Sequence, residues 1–219
     1  MTALVTSGAT REYIDPVRYI SNKSSGKQGY EIALALSKLG VKTTLISGPS
    51  NINFSKDLKI KSVVSSEEMY KNVKDSLPVD IAVCAAAVVD FKPNKKKKNK
   101  LKKNDINSLS LNLEKNLDIL EFLGKNNKNR PRIVVGFAAE TENVIENSKK
   151  KLKDKYCDLI VANDVSKKNS GFSVDYNKVA IISKNGKIEN IPRNKKSFIA
   201  NIIAKKIVHK LLVDEKNIN

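Results

Sequence analysis

The chain has 219 residues, with 41 lysines and arginines against 23 acids and a formal net charge of +18. That length buries a substantial core without disulfides or metals, and Cys84 and Cys157 lie in the apolar runs IAVCAAAVV and YCDLIVA rather than in a paired spacing. Buried free thiols in a reducing cytoplasm are expected, and the absence of any 18-residue apolar run or N-terminal signal pattern argues against a membrane location or secretion.

Net positive charge invites a nucleic-acid surface, but the lysines are spread among asparagines, with little arginine and few aromatics for base contacts, so nucleic acid is not expected as a partner. In chain order, ALVT (3–6) reads as a strand. A long loop from Ser7 to about Ser24 follows, then a helix with Ile32, Ala33, Leu36 and Leu39 at helical spacing, stopped by Gly40. VKTTLIS and about Ile60–Val64 are strands, and Ser65-Ser66-Glu67-Glu68 opens a helix with a capping box. The run Ile81–Val89 predicts a central strand of a parallel sheet. Eight lysines between Lys92 and Lys103 form either a solvated basic loop or a flap that closes on a polyphosphate.

Further on, SLSLNL alternates as a strand, DILEFLG reads as a helix, IVVGFAA as a buried strand, Asn143–Lys155 as a helix and DLIVAND as a strand. KVAIIS and KIENIP flank an Asn-Gly turn and form a hairpin. A closing helix over about Lys195–Leu212 presents apolar residues at 198, 199, 202, 203 and 207. Strands alternating with helices imply an α/β fold: one domain over 1–219 with a Rossmann-like, doubly wound, mostly parallel sheet and a β-hairpin extension near the C-terminus. Ligands of such sheets sit beyond the carboxyl ends of the strands.

The stretch RYISNKSSGKQG lies at that edge, where a helix N-terminus favours an anion. Gly26 and Gly29 allow either close approach of a phosphate or close helix–strand packing, and Asn22 can donate to a carbonyl and accept from an amine. Asp90 ends the buried run, where an acid caps a turn or meets a ligand. Lys151 and Lys155 share a helix face. Phe137, at a strand end, is core by default, and the single histidine, His209, lies away from every motif.

Taken together, TSGATREYIDPVRYISNKSSGKQG, AAAVVDF, KLKK, EKNLDIL, VVGFAAET and LIVANDVS resemble phosphopantothenoylcysteine synthetase, the synthetase half of the bacterial bifunctional enzyme of coenzyme A biosynthesis; the similarity runs from Leu4 to about Leu212. The resemblance implies ligation of 4′-phosphopantothenate to L-cysteine through an acyl-nucleotidyl intermediate, with CTP and Mg²⁺ in the bacterial branch, by a homodimer. It makes Asn22 the residue that holds the acyl carbonyl, and Ser24, Gly26 and Gly29 the phosphate-contacting turn. Cys84, Ala85, Ala86 and Asp90 match nucleotide contacts, and Lys100, which opens the KxKK pattern, resembles the catalytic lysine. Glu114, Lys115, Asn116 and Leu117 match a nucleotide-binding segment in which Glu114 and Leu117 depart from the commoner residues. Phe137 matches an aromatic beside the nucleotide, Lys151 and Lys155 match lysines of the CTP-using branch, and Arg18 matches a dimer contact. The abrupt start at Met1 raises the expectation of a flavin-dependent decarboxylase domain fused ahead of it.

The rival readings are a nicotinamide-dependent reductase and a basic RNA-binding module. The reductase is disfavoured because the second strand ends in ISGPS, with no acid for a ribose hydroxyl, and no Tyr-x-x-x-Lys pair follows.

Overall fold

A computed structural model of the chain describes residues 1–102, 109–125, 128–165 and 175–216, with side chains through 213. Six parallel strands form its centre: β1 (Thr2–Ser7), β4 (Lys42–Ser47), β5 (Lys59–Ser62), β6 (Ile81–Cys84), β9 (Ile133–Glu140) and β10 (Leu159–Asp164). The hairpin β11 (Tyr176–Ser183) and β12 (Ile188–Lys195) adds two antiparallel strands, giving the order β12-β11-β10-β9-β6-β1-β4-β5. Counted along the chain, the parallel strands run in the 3-2-1-4-5-6 order of dinucleotide-binding sheets, whose direction of winding reverses between β1 and β6.

Alternation along each strand divides the core into two layers. Ala3 and Val5 of β1 pack with α1 (Lys27–Lys38) and α5 (Lys196–Lys216), whereas Leu4 packs with α2 (Ser66–Lys74), α3 (Ile119–Gly124) and α4 (Val144–Asp154). Helix boundaries follow their capping chemistry. Gly40 takes φ 79°, and Val41 N–H reaches Leu36 O while Gly40 N–H reaches Ser37 O, a Schellman stop for α1. Ser65 caps α2 by accepting from Glu68 N–H, and the Glu68 carboxylate accepts from Val64 N–H, as the capping box requires. Asp118 caps α3 through Glu121 N–H.

Four expectations need correction. The run Ile81–Val89 leaves the sheet after Cys84, because Ala85 N–H turns to Thr6 O, Ala87 N–H to Gly8 O and Val89 N–H to Thr10 Oγ1. The loop after β1 contains a hairpin, β2 (Arg11–Tyr13) with β3 (Tyr19–Ser21), held by buried Glu12, which accepts from Ser66 N–H at the start of α2. The expected strand SLSLNL begins only at Leu113: β8 (Leu113–Lys115) pairs with β7 (Phe91–Pro93) in a ribbon that carries the lysine loop; Ser108 lies outside the described residues. On α5 the buried stripe is Ile199, Ala200, Ile203, Ala204, Ile207 and Leu211, and Phe198 is exposed. Both cysteines are free, as expected, and burial raises both thiols, Cys157 to about 12. Among the described residues no helix is long and apolar enough to cross a membrane.

Candidate nucleotide and acyl-transfer site

At the carboxyl edge of the sheet lies a cavity of about 1100 Å³, lined from Thr6 of β1 across Cys84, Phe137 and Asn163 to Asn177 of β11. That path crosses four strand spacings, roughly 19 Å at about 4.8 Å each. It is long enough for a ligand the size of a nucleotide together with an acyl substrate.

The turn into α1 forms one wall. Gly26 is the N-cap at φ 76°, its carbonyl accepts from buried Ser7 Oγ at 2.7 Å, and its N–H donates to Ser24 Oγ at 3.2 Å. A Cβ on Gly26 would lie 2.9 Å from Gly8 N and Ser7 Oγ, and one on Gly29 2.9 Å from Ser7 Cβ and Thr6 O. Both glycines therefore let the turn seat directly on the end of β1, the packing alternative that the sequence left open. The seating has an electrostatic consequence. The N-cap Gly26 has no side chain to cap α1, only Lys27 N–H is met, by Ser25 Oγ at 3.4 Å, and no acid occupies the first turn, so the remaining orphan N–H groups and the positive end of the helix dipole face the cavity.

Asn22, after β3, closes the turn from the other side. Its Nδ2 donates to Val88 O at 3.0 Å, tying the turn to the segment after β6 and leaving Oδ1 and a second N–H for a ligand. Across from it run Cys84, Ala85, Ala86 and Asp90, all lining the cavity. Asn116 is chiefly a fastener: its N–H reaches Asp90 O at 2.8 Å and its Nδ2 reaches Val89 O at 2.7 Å. Lys115 and Leu117 line the cavity beside it, whereas Glu114 points elsewhere, pairing with Lys92 at 3.6 Å on the ribbon.

On the α3/α4 side, Lys151 and Lys155 both reach the cavity. Lys155 Nζ is held by Asp118 at 2.9 Å and Glu121 at 3.0 Å, and Lys125 also pairs with Glu121 at 2.8 Å. The Asp118 hydrogen bond leads the causes that raise Lys155 to about 12, while the hydrogen bonds from Lys125 and Lys155 lower Glu121 to about 2. Two carboxylates thus already balance Lys155, a pairing the spacing of lysines could not reveal. Phe137 is half-buried, packing against the α1/α5 layer while its exposed part faces the cavity.

Lys100 and Arg18 lie outside the cavity lining. The β2–β3 turn holds buried Asp15, whose carboxylate accepts from Val17, Arg18 and Leu101 N–H groups and from the Arg18 guanidinium at 2.6 Å. Burial alone would raise this carboxyl, but those hydrogen bonds and the Arg18 charge bring it to about 2. Arg18 Nη1 also donates to Leu101 O, and Lys97 N–H to Ile14 O. The lysine loop is therefore moored to the hairpin next to exposed Lys100, and Lys103 lies outside the described residues. Sequence reasoning did not single out Asp15, nor Gln28, Asn163, Asn177 and Lys196, which line the cavity on its α1/α5 side. His209 is exposed on α5, away from it.

A 3-2-1-4-5-6 sheet with a glycine turn and a cavity at its reversal point defines an α/β domain of doubly wound, Rossmann-like architecture. Residues 1–211 match the DNA/pantothenate metabolism flavoprotein C-terminal domain, and the chain belongs to that family. It is 42% identical over 204 residues to the coenzyme A biosynthesis bifunctional protein CoaBC of Borreliella burgdorferi, covering 92% of this chain and 51% of that protein. Against the CoaBC of Bacillus subtilis the identity is 42% over 193 residues, 86% of this chain and 46% of that one. The chain thus spans about half the length of these curated relatives. A crystal structure of a CoaBC C-terminal domain superimposes with a TM-score of 0.80 at 35% identity, covering 97% of this chain and 96% of that one.

Proposed function

We propose that this chain ligates 4′-phosphopantothenate to L-cysteine by way of an acyl-cytidylate, consuming CTP and releasing pyrophosphate and CMP, in coenzyme A biosynthesis. The observation that carries the reading is the meeting, in one cavity at the sheet's reversal point, of the Asn22 carboxamide, the uncapped start of α1 and the Cys84–Asp90 segment. The family membership supports the same reaction.

The chemistry requires what the site offers. In the first step a carboxylate oxygen bonds to the α-phosphorus as the bond to the β-phosphate oxygen breaks; positioning and charge neutralisation are the main demands. The α1 N–H groups and lysines supply both. In the second, the cysteine nitrogen bonds to the acyl carbon, the C–O bond to CMP breaks, and the amine's proton leaves to solvent. In this reading the second N–H of Asn22 donates to the oxyanion that forms between these events. Among the described residues no group of three or more His, Cys, Asp or Glu side chains gathers to cage a metal. Magnesium would come with the triphosphate, with the cavity-lining Asp90 as a carboxylate to hold it, and would supply charge neutralisation.

Lys100 acts on the reacting phosphate once the lysine loop leaves its mooring on Asp15. Homodimer formation is supported by Val17, Tyr19, Phe91 and Leu113, exposed apolar residues on the hairpin and ribbon beside Arg18. The bifunctional character of the relatives supports a flavin-dependent decarboxylase as the partner activity. Pyrophosphate release and mass-spectrometric detection of phosphopantothenoylcysteine, with CTP and ATP in parallel, test the proposal. CTP is expected to support turnover well above ATP; equal rates contradict the nucleotide assignment, and no product with either contradicts the reaction.

A further inference from the structure

Thr10, in the motif TSGATREYID, is fully buried and lies outside the cavity lining, yet two chains of hydrogen bonds lead from it to Asn22. Its carbonyl accepts from Ser21 Oγ at 2.7 Å, and Ser21 is the last residue of β3, directly before Asn22. Its Oγ1 accepts from Val89 N–H at 3.0 Å, while Val88 O accepts from Asn22 Nδ2 at 3.0 Å. Val88 C=O and Val89 N–H belong to one peptide unit, which is planar and stiff. Holding the N–H on one side therefore sets the direction of the carbonyl on the other, and that carbonyl receives the Asn22 carboxamide.

The two chains close a ring that runs from Thr10 through Ser21, Asn22 and the Val88–Val89 peptide back to Thr10. Backbone contacts outside the ring fix Thr10 itself: its N–H reaches Ala87 O at 3.4 Å, Arg11 N–H reaches Val64 O at 2.9 Å, and Ala9 bridges Ala87 in parallel. Asn22 depends on such support. It is exposed, it follows a strand of three residues, and among the described residues its side chain makes the single hydrogen bond to Val88. An amide so placed turns freely about its side-chain bonds, whereas a group in a working site must keep its direction within about 10–20°. Satisfying a buried Val89 N–H would by itself account for the Thr10 hydroxyl, but not for the Ser21 arm that meets the same residue.

We propose that Thr10 is the positioning residue for Asn22, acting through Ser21 on its backbone and through the Val88–Val89 peptide on its carboxamide, so that the second N–H keeps its aim at the reacting acyl carbonyl. The assignment rests on the acyl-transfer reading above and adds to it the buried residue on which that aim depends.

The two half-reactions of the full chain are compared in wild type, Thr10→Val, which removes the hydroxyl and keeps the branched shape, Thr10→Ser, which keeps the hydroxyl, and Ser21→Ala, which breaks the other arm at an exposed residue where folding tolerates the change. In Thr10→Val and Ser21→Ala, pyrophosphate formation is expected near the wild-type rate and cysteine-dependent CMP release slowed about tenfold to 10²-fold, with Thr10→Ser restoring it. In an Asn22→Ala background neither change should slow CMP release further, because the group they position is gone. ¹⁵N relaxation of the Asn22 side-chain amide, which needs no turnover, should show added motion in Thr10→Val and Ser21→Ala. A wild-type balance of half-reactions in both variants, or an amide as rigid as in wild type in both, overturns the assignment. So does a slowing of both half-reactions that persists in the Asn22→Ala background, which assigns Thr10 to structure alone. Wild-type protein that makes no phosphopantothenoylcysteine refutes the acyl-transfer reading, and the amide relaxation by itself then upholds or overturns the positioning.

Discussion

Substituting Gly26 by alanine tests whether the turn really rests on β1. Gly26 and Gly40 have nearly the same left-handed backbone, φ 76° and φ 79°, but opposite surroundings: a Cβ on Gly26 meets Gly8 N and Ser7 Oγ at 2.9 Å, and one on Gly40 meets nothing within 4 Å. An L side chain in the left-handed region costs about 1–2 kcal/mol, which both substitutions incur. Forcing atoms into a packed contact adds about 1–3 kcal/mol at Gly26 alone. Gly26→Ala is therefore expected to lose about 2–5 kcal/mol, a large part of the roughly 5–15 kcal/mol typical of a domain. Gly40→Ala should lose only the strain. Urea denaturation of both variants reads the difference directly, since the shared backbone cost cancels. Equal losses would refute the close seating of the turn, and with it the account of how the α1 N-terminus is aimed at the cavity.

Asp15→Asn weakens the mooring of Leu101 and Arg18; proteolysis within residues 95–102 should accelerate, and an unchanged rate would show that Asp15 does not hold the lysine loop. The Glu121 carboxyl, lowered from 4.5 to about 2 by Lys125 and Lys155, contributes stability that is present above pH about 4.5 and lost as pH falls toward 2. Glu121→Gln should accordingly destabilise the protein at pH 7 and flatten that part of its acid-denaturation profile; a profile of wild-type steepness would contradict the pairing.

How far the sequence reveals this structure depends on whether a signal is local. The α1 stop at Gly40, the Ser65/Glu68 box and the hairpin turn around Gly186 are written in a few neighbouring residues, and each forms as expected. Where Ile81–Val89 stops being a strand is not, because Thr6, Gly8 and Thr10, some 80 residues away, take its N–H groups. The β2–β3 hairpin has three-residue strands, too short for periodicity to register, and Glu12 finds its partner only once α2 is in place. Strand order is a non-local property altogether.

The site divides in the same way. Asn22, the glycine turn and the Cys84–Asp90 segment are contiguous motifs, and the cavity gathers them. Lys196 is one lysine in a lysine-rich chain; its place at the start of the closing helix, directly after the hairpin, was its sole signal. The Lys155–Asp118–Glu121 cluster was likewise out of reach, since it joins residues more than 30 apart. Glycine spacing also carried two meanings at once, and geometry shows that seating on β1 is common to Gly26 and Gly29.

The central claim, that Asn22 serves the acyl carbonyl while the α1 turn serves phosphate, is tested most directly by resolving the two half-reactions in Asn22→Ala. CTP binding and folding should be nearly intact, because the lost Val88 hydrogen bond is at the surface. Loss of a donor aimed at an oxyanion costs about 10²- to 10³-fold in rate. Pyrophosphate formation from CTP and phosphopantothenate should therefore outlast cysteine-dependent CMP release, and the acyl-cytidylate should accumulate and be visible by mass spectrometry after a quench. If the variant instead loses CTP affinity while both half-reactions slow together, Asn22 belongs to the phosphate turn and the division of labour is contradicted.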